Sequence, residues 1–255
     1  MTKNPSATAA PRVTIITPLR NAAPMLPGAI ESFQQHATDA VEWWLVDGAS
    51  TDGTLDVLRR LKDPRVHWRS EPDGGLYEAM NKGVDWARGR WIHFLGADDR
   101  LLSGFRRALD RLCDPETLYY GDVILASSGR RYDGPFSLAK LARTNICQQA
   151  IFYPRTVFRH RRFEPRYRWQ ADWEFNMYCR GALRLRFEYL AETIALYNDG
   201  GASGQAEDET LYRDYGRLLW RYFPLPAVLP PWLLWLASRA RRAVMRHRSI
   251  RPRPL

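Results

Sequence analysis

The sequence predicts an α/β fold: a mostly parallel central sheet flanked by helices, with a C-terminal amphipathic helical tail. Three observations carry that expectation. Strand, loop and helix patterns alternate from Val13 onward; the fourth strand, Trp91 to Leu95, is a short run of bulky residues of the kind covered on both faces of a parallel sheet; and acid-bearing loops follow the strands.

Taken in order, Val13 to Thr17 is a β-branched strand closed by Pro18, and a helix with Ile30 and Phe33 on one face begins near Pro27. Val41 to Val46 is a second strand. It ends in a run of turn and cap formers, Asp47 to Thr54, where Ser50 or Asp52 can cap a helix carrying Leu55, Leu58 and Leu61. Val66 to Arg69 is a third strand, and the loop Glu71 to Gly75 leads into a helix over Leu76 to Ala87 with Leu76, Met80, Val84 and Ala87 as its buried stripe. Tyr77 and Asn81 fall four apart on a neighbouring face that can look toward the strand ends, while Glu78 and Lys82 read as a surface pair. Trp91 to Leu95 is the fourth strand, followed by Gly96-Ala97-Asp98-Asp99; its His93 reads as a core histidine. Right-handed crossovers and parallel pairing follow for this half.

The regular alternation stops there. A helix from Ser103 to about Leu112, a strand over Tyr119 to Leu125 with a turn and return strand, a strand over Gln149 to Tyr153, a helix over Asp172 to Arg180, and two strands, Leu185 to Tyr189 and Ile194 to Tyr197, complete the expected elements. Asp199 to Gly204 reads as a flexible polar loop. The expected division is a disordered leader over residues 1–11, one domain over 12–205, and a basic helical segment over 206–255.

The net charge of +10 is local, not general. Seven arginines and no acid lie between Arg239 and Arg253, and six arginines against Glu164 alone lie between Arg155 and Arg168. That distribution argues against a surface that tracks nucleic acid, and for basic patches facing something anionic. Leu225 to Ala237 is apolar with two tryptophans but too short to cross a bilayer, so with the arginines beside it the segment suits a membrane surface, or else a helix docked on the domain. Three widely spaced cysteines, Cys113, Cys147 and Cys179, form neither a disulfide framework nor a zinc pattern, and the polar N-terminus lacks an apolar signal core. The expected compartment is therefore cytoplasmic; the tail, taken with the family resemblance given below, puts the expected location peripheral on the inner face of the plasma membrane.

In open α/β sheets, ligands bind beyond the carboxyl ends of the strands. Asp47 and Asp52, Asp73, and the adjacent Asp98 and Asp99 all fall there. Each alone can be a helix cap or a solvated turn; together they can grip hydroxyls and a divalent cation, which would relieve the repulsion between Asp98 and Asp99. No glycine-rich dinucleotide fingerprint and no phosphate-binding P-loop occurs.

Six blocks in this order resemble the small bacterial inverting glycosyltransferases of family 2, which have the nucleotide-sugar-binding GT-A fold: Thr14-Ile-Ile-Thr-Pro18 with Asn21, Val46 to Thr54, Glu71 to Gly83, Phe94 to Asp99, Ala171 to Phe175, and Gly200 to Ser203. The Leu76 to Gly83 block is similar to that of enzymes assembling exopolysaccharide, colanic-acid-type capsule or O-antigen units. The resemblance implies a nucleotide-diphosphate sugar donor, Mn²⁺ or Mg²⁺, a lipid-linked glycan acceptor, an anionic membrane surface as partner, and no nucleic acid. It places Pro18, Asn21, Asp47 and Asp52 around the base and ribose, Asp73 and Asn81 at the donor's border, Asp98 toward ribose or sugar, and Asp99 on the metal. Asp172 matches the catalytic base, with Glu174 as fallback, and Gln149, Gly200, Gly201 and Ser203 match an acceptor or phosphate loop. One departure concerns Asn145 to Gln149, where the family commonly has His-Gln and Gln148 stands in the histidine's place. A sugar nucleotidyltransferase is the competing enzyme, though Leu19 to Pro24 lacks the glycine-rich loop such enzymes carry; a non-enzymatic basic module for membrane or nucleic acid is the competing class.

Overall fold

The computed structural model describes residues 10–201 and 207–224; the expectations for residues 1–9, Ser203 and the tail beyond 224 fall outside the described residues. Four parallel strands make one half of a nine-stranded sheet: β1 (Val13–Leu19), β2 (Val41–Asp47), β3 (Val66–Ser70) and β4 (Trp91–Phe94), in the spatial order β3-β2-β1-β4. Their connections are α1 (Leu26–His36), α2 (Thr54–Arg60) and α3 (Leu76–Trp86), so this half matches the elements read from the sequence to within a few residues.

Beyond β4 the sheet is mixed. Short β5 (Arg100–Leu101) precedes α4 (Ser103–Arg111), and β6 (Thr117–Leu125) pairs with the return strand β7 (Arg131–Tyr132). After α5 (Leu138–Leu141) a 3-10 turn over Gln148–Ala150 leads into β8 (Ile151–Pro154), which lies antiparallel between β4 and β6. Then follow α6 (Val157–His160), α7 (Ala171–Gly181), β9 (Arg186–Tyr197), parallel to β6, and α8 (Glu209–Tyr222). The two strands expected between Leu185 and Tyr197 are one. Ala191 takes a left-handed backbone (φ 55°) and the β6–β9 register shifts around Asp122, so a bulge bends the strand without ending it.

The sheet separates two apolar cores. Leu26, Ala29 and Phe33 of α1, Leu58 of α2 and Phe105, Ala108 and Leu109 of α4 cover one face; Met80 and Val84 of α3, Phe175 and Met177 of α7 and Leu211, Leu218 and Leu219 of α8 cover the other. Helix α3 comes close because Gly83 faces the sheet: a Cβ there would stand 2.5 Å from a methyl of Ile16. Helix α7 is seated by an aromatic stack, with Phe175 5.0 Å from Phe158 and 4.9 Å from Phe163.

His93, on β4, is fully buried between Phe105 and Phe152, as expected of a core histidine. Its Nδ1 lies 3.0 Å from the Ile151 carbonyl, so Nδ1 carries the proton; among the described residues Nε2 has no partner. Burial lowers its pKa to about 4, against a small opposing effect of the Ile151 carbonyl. The unfolded chain therefore binds more protons between pH 6.5 and 4, and His93 removes stability as pH falls through that window, by roughly 3 kcal/mol at its lower end. Asp99, whose pKa is raised, has the opposite slope over part of the range, so the measurement is a difference: the stability of wild type minus that of His93→Leu, from urea unfolding, should be lower at pH 4.5 than at pH 7, because only the wild type is destabilised by histidine protonation.

Candidate active site

At the carboxyl ends of β1 and β4 opens a cleft of about 800 Å³. Its floor is the turn after β4. Asp99 is 1% exposed, and its carboxylate accepts hydrogen bonds from the backbone N–H of Gly96 (2.9 Å) and of Asn198 (2.8 Å) and from Nε2 of Gln149 (2.8 Å). Burial raises its pKa to about 6, and the neighbouring Asp98 charge adds to the rise while the three donors oppose it. Asp98 is half-buried; its Oδ2 accepts from Nδ2 of Asn198 (2.8 Å), and Gly201 passes so close that a Cβ would stand 3.1 Å from that oxygen. Asp98, Asp99, Gln149, Gly201, Pro18 and Asp73 all line the cleft.

On another wall, Asp172 is the second residue of α7, behind Gln170 as N-cap, so its carboxylate is not spent as the cap. It is 8% exposed and lines the cleft. Tyr77 donates its hydroxyl to one oxygen at 2.6 Å, and Asn145 donates Nδ2 to the other at 2.5 Å. Burial raises the Asp172 pKa, with these donors and the first-turn amides acting against it. An anion held by dipoles yet pushed toward neutrality suits a general base.

Glu174, the expected fallback base, is corrected by geometry. Two residues further along a helix lies about 200° round the axis, on the opposite face. There Glu174 is fully buried, its Oε1 accepting from Arg161 (2.8 Å) and from the Tyr222 hydroxyl (2.8 Å), and it does not line the cleft. Asn81 likewise turns from the donor's border to the chain beside it: its amide donates to the Phe163 carbonyl and accepts from the Phe163 N–H.

The first two strand-end loops meet through their polar groups, outside the cleft lining. Asp47 is fully buried, and its carboxylate accepts from the Ser50 N–H and hydroxyl and from the Ser70 hydroxyl. Asn21, at φ 52°, accepts from the Thr51 N–H. Asp52 sits at the start of α2, where it accepts from the Thr54 hydroxyl, which leads in lowering its pKa, and from the N–H groups of Thr54 and Ala23. These three shape the loops that frame the cleft. Asp73 faces it, holding the Gly75 N–H at 2.9 Å, and Gly200 adjoins the lining residue Gly201.

Sequence reasoning missed Tyr77 as a partner of Asp172, although it placed Tyr77 on a face toward the strand ends. Asn198 and Arg143 carry no role in the sequence analysis, and Asn145 and Arg168 enter it only as ends of a block and of a basic run; Arg143 and Arg168 line the cleft beside Trp169. Gln148, in the expected histidine position, is buried with Nε2 3.7 Å from the Met80 sulfur, and it is Gln149 that reaches Asp99.

Among the described residues no three His, Cys, Asp or Glu side chains converge into a metal cage. Asp98 and Asp99 nevertheless fit a Mn²⁺ or Mg²⁺ ion of the kind held by one or two carboxylates and completed by phosphate oxygens and water. The donor set is all oxygen, and the buried anion at Asp99 has amide dipoles and, among the described residues, no cation against it.

The model of the Glycosyl transferase family 2 matches residues 14–192. A PGL/p-HBAD biosynthesis glycosyltransferase of Mycobacterium bovis is 40% identical over 213 residues, covering 79% of this chain and 82% of that protein. A putative teichuronic acid biosynthesis glycosyltransferase, TuaG, of Bacillus subtilis is 36% identical over 93 residues, 35% of this chain and 37% of its own. Among solved structures, S. aureus TarS 1–349 in complex with UDP-GlcNAc superposes with a TM-score of 0.71 at 16% identity, covering 89% of this chain and 73% of that one. The mannosyltransferase PcManGT from Pyrobaculum calidifontis, in complex with GDP-Man and Mn²⁺, does so with 0.64 at 19% identity, covering 92% and 73%. The match spans both halves of the sheet and the cleft-lining residues from Pro18 to Trp173, and the chain belongs to glycosyl transferase family 2.

Proposed function

We propose that this glycosyltransferase moves a sugar, with inversion, from a nucleotide-diphosphate sugar to a hydroxyl of a lipid-linked glycan in bacterial surface polysaccharide synthesis. The observation that carries the reading is one cleft lined both by the acidic turn Asp98-Asp99 and by Asp172, a carboxylate held ready by Tyr77 and Asn145. The relatives' names, PGL/p-HBAD and teichuronic acid biosynthesis, support a cell-surface glycan. UDP-GlcNAc in TarS and GDP-Man with Mn²⁺ in PcManGT support the donor class and a divalent cation.

In this reading the donor's diphosphate lies over the Asp98-Asp99 turn, with Pro18 and Asp73 beside the nucleoside and the loops tied by Asn21, Asp47 and Asp52 framing it. Asp172 takes the proton of the acceptor hydroxyl as that oxygen forms its bond to the anomeric carbon. The bond from that carbon to the diphosphate oxygen breaks on the opposite side, and the nucleoside diphosphate leaves with the electron pair. Asp98 and Asp99 would hold Mn²⁺ or Mg²⁺, which when bound supplies positive charge against the departing diphosphate. Gln149 fixes Asp99, and Gly201 stands beside Asp98 on the phosphate side of the cleft. Arg143, Arg168 and Trp169 offer the acceptor a basic and aromatic wall near Asp172.

We place the acceptor, polyprenyl-diphosphate-linked, at the inner face of the plasma membrane, with the apolar and arginine-rich stretch from Leu225 onward as the contact with anionic lipid. Among the described residues no helix is long and apolar enough to cross a membrane. Residues 225–255 should therefore govern binding to vesicles containing anionic lipid: the full chain should sediment with them and a chain ending at Pro224 should stay in the supernatant, and sedimentation of both would refute the tail's role.

After a thermal-shift screen of nucleotide sugars has identified the donor, Asp172→Asn should lower the rate of transfer by about 10²–10⁴-fold with the donor KM little changed. Asp99→Asn should weaken Mn²⁺-dependent binding of the nucleoside diphosphate, read by calorimetry, by more than about tenfold, the loss seen even for groups one bond removed from a metal. Unchanged transfer by the first variant removes Asp172 as the base; unchanged binding by the second removes Asp99 from the metal.

A further inference from the structure

The carboxylate of Asp172 is the end of a chain of buried polar groups. From the far side, the Tyr153 hydroxyl donates to Oδ1 of Asn176 (2.9 Å), Nδ2 of Asn176 donates to Oδ1 of Asn145 (2.8 Å), and Nδ2 of Asn145 donates to Oδ2 of Asp172 (2.5 Å). Asn176 and Tyr153 are both fully buried, on α7 and β8 respectively, and neither lines the cleft. Asn176 stands four residues after Asp172, on the same face of α7. Burying an asparagine amide is costly unless its groups are partnered, and here its carbonyl oxygen and one amide hydrogen are used in this chain.

Two senses of such a chain are geometrically conceivable, and only one is compatible with a base. If both amides were turned round, Oδ1 of Asn145 would face the carboxylate oxygen at the same separation, which requires Asp172 to carry a proton and donate it. In the sense observed, every donor points toward Asp172, whose oxygens only accept. We infer that Asn145 is a positioning residue for Asp172, held by Asn176 and Tyr153 in the one orientation that favours the ionised carboxylate. The inference rests on the reading of Asp172 as the base, and extends it to two residues that touch no substrate.

The groups around Asp172 leave that role to the amide chain. Tyr77, Tyr153, Tyr132 and Cys147 sense the Asp172 charge, but burial first of all holds each of them protonated, so they act as neutral neighbours. Arg143 and Arg168 are exposed on the cleft wall, and the acids Asp73, Asp98 and Asp99 line the same cavity. Tyr77 holds the other oxygen and is shared with the Trp169 carbonyl at 3.0 Å.

The test is the pH dependence of kcat/KM for wild type, Asn145→Ala, Asn176→Leu and the double variant, with melting temperatures measured alongside. Loss of the charge-assisted donor in Asn145→Ala should move the acid limb up by about one pH unit, and Asn176→Leu, which frees the Asn145 amide to turn, should move it in the same direction by no more than that. At the pH where the wild type is half-maximal, rates should fall severalfold while the donor KM stays put. Because Asn176 acts through Asn145, the double variant should shift no further than Asn145→Ala alone. An acid limb that stays in place in Asn176→Leu, or shifts that add in the double variant, overturns the inference. Should Asn176→Leu not fold, Tyr153→Phe reports on the same chain, with a smaller shift in the same direction expected and none overturning it. Asp172→Asn separates the two levels: an inactive Asp172→Asn with unmoved limbs in the other variants refutes the positioning chain alone, whereas an active one refutes the base beneath it.

Discussion

The carboxylate of Asp99 is the constraint on which the cleft depends. Among the described residues it is buried without a cation beside it, and its three hydrogen bonds come from the turn after β4, from the 3-10 turn before β8 and from the end of β9, segments far apart in the chain. A buried anion left unpaired is expensive, so these donors cannot be given up separately, and satisfying the charge fixes where three loops stand relative to one another. The raised pKa of Asp99, to about 6, reflects what dipoles leave uncompensated after burial and the nearby Asp98 have acted. The same arrangement that closes the sheet's edge therefore leaves a site with a standing preference for positive charge.

Asp172 meets the opposite demand with different materials. Asp99 is held mainly by backbone amides, which only a proline substitution removes, whereas Asp172 is held by the side chains of Tyr77 and Asn145 and lies open to the cleft. A charge bound by main chain is a fixed feature of the fold; a charge bound by side chains can be tuned residue by residue. One acid fits the task of holding a cation, the other that of gaining and losing a proton.

Much of the first half of the fold is legible because its information is local. Each of β1, β2 and β4 is announced by its own run of β-branched or bulky residues and each helix by its own stripe, and parallel order follows from the alternation. The second half is not, because its partners are distant: β6 lies between β8 and β9, and the bulge at Ala191 depends on a register with β6 that no stretch of β9 encodes alone. The site divides the same way. Asp73, Asp98, Asp99 and Asp172 stand out by type and place, but Asn145 and Asn198 matter through side-chain hydrogen bonds to carboxylates 27 and 100 positions away. An asparagine in a loop advertises a turn, and only the packed chain shows which carboxylate it serves.

Glu174 shows how a conspicuous acid can be necessary to a site it never touches. Its spacing from Asp172 places it on the reverse of α7, where Arg161 and Tyr222 of α8 close on it and Gly181 lets α8 approach so closely that a Cβ would stand within 1.9 Å of the Tyr222 carbonyl oxygen. A buried carboxylate with one cation and one hydroxyl resists rotation of its helix, since any turn of α7 would strand the charge. The aromatic stack on Phe175 resists it too, and the amide chain through Asn176 binds the front face. With its back tied by charge and its front tied by amides, α7 has one orientation available, and that orientation aims Asp172 into the cleft.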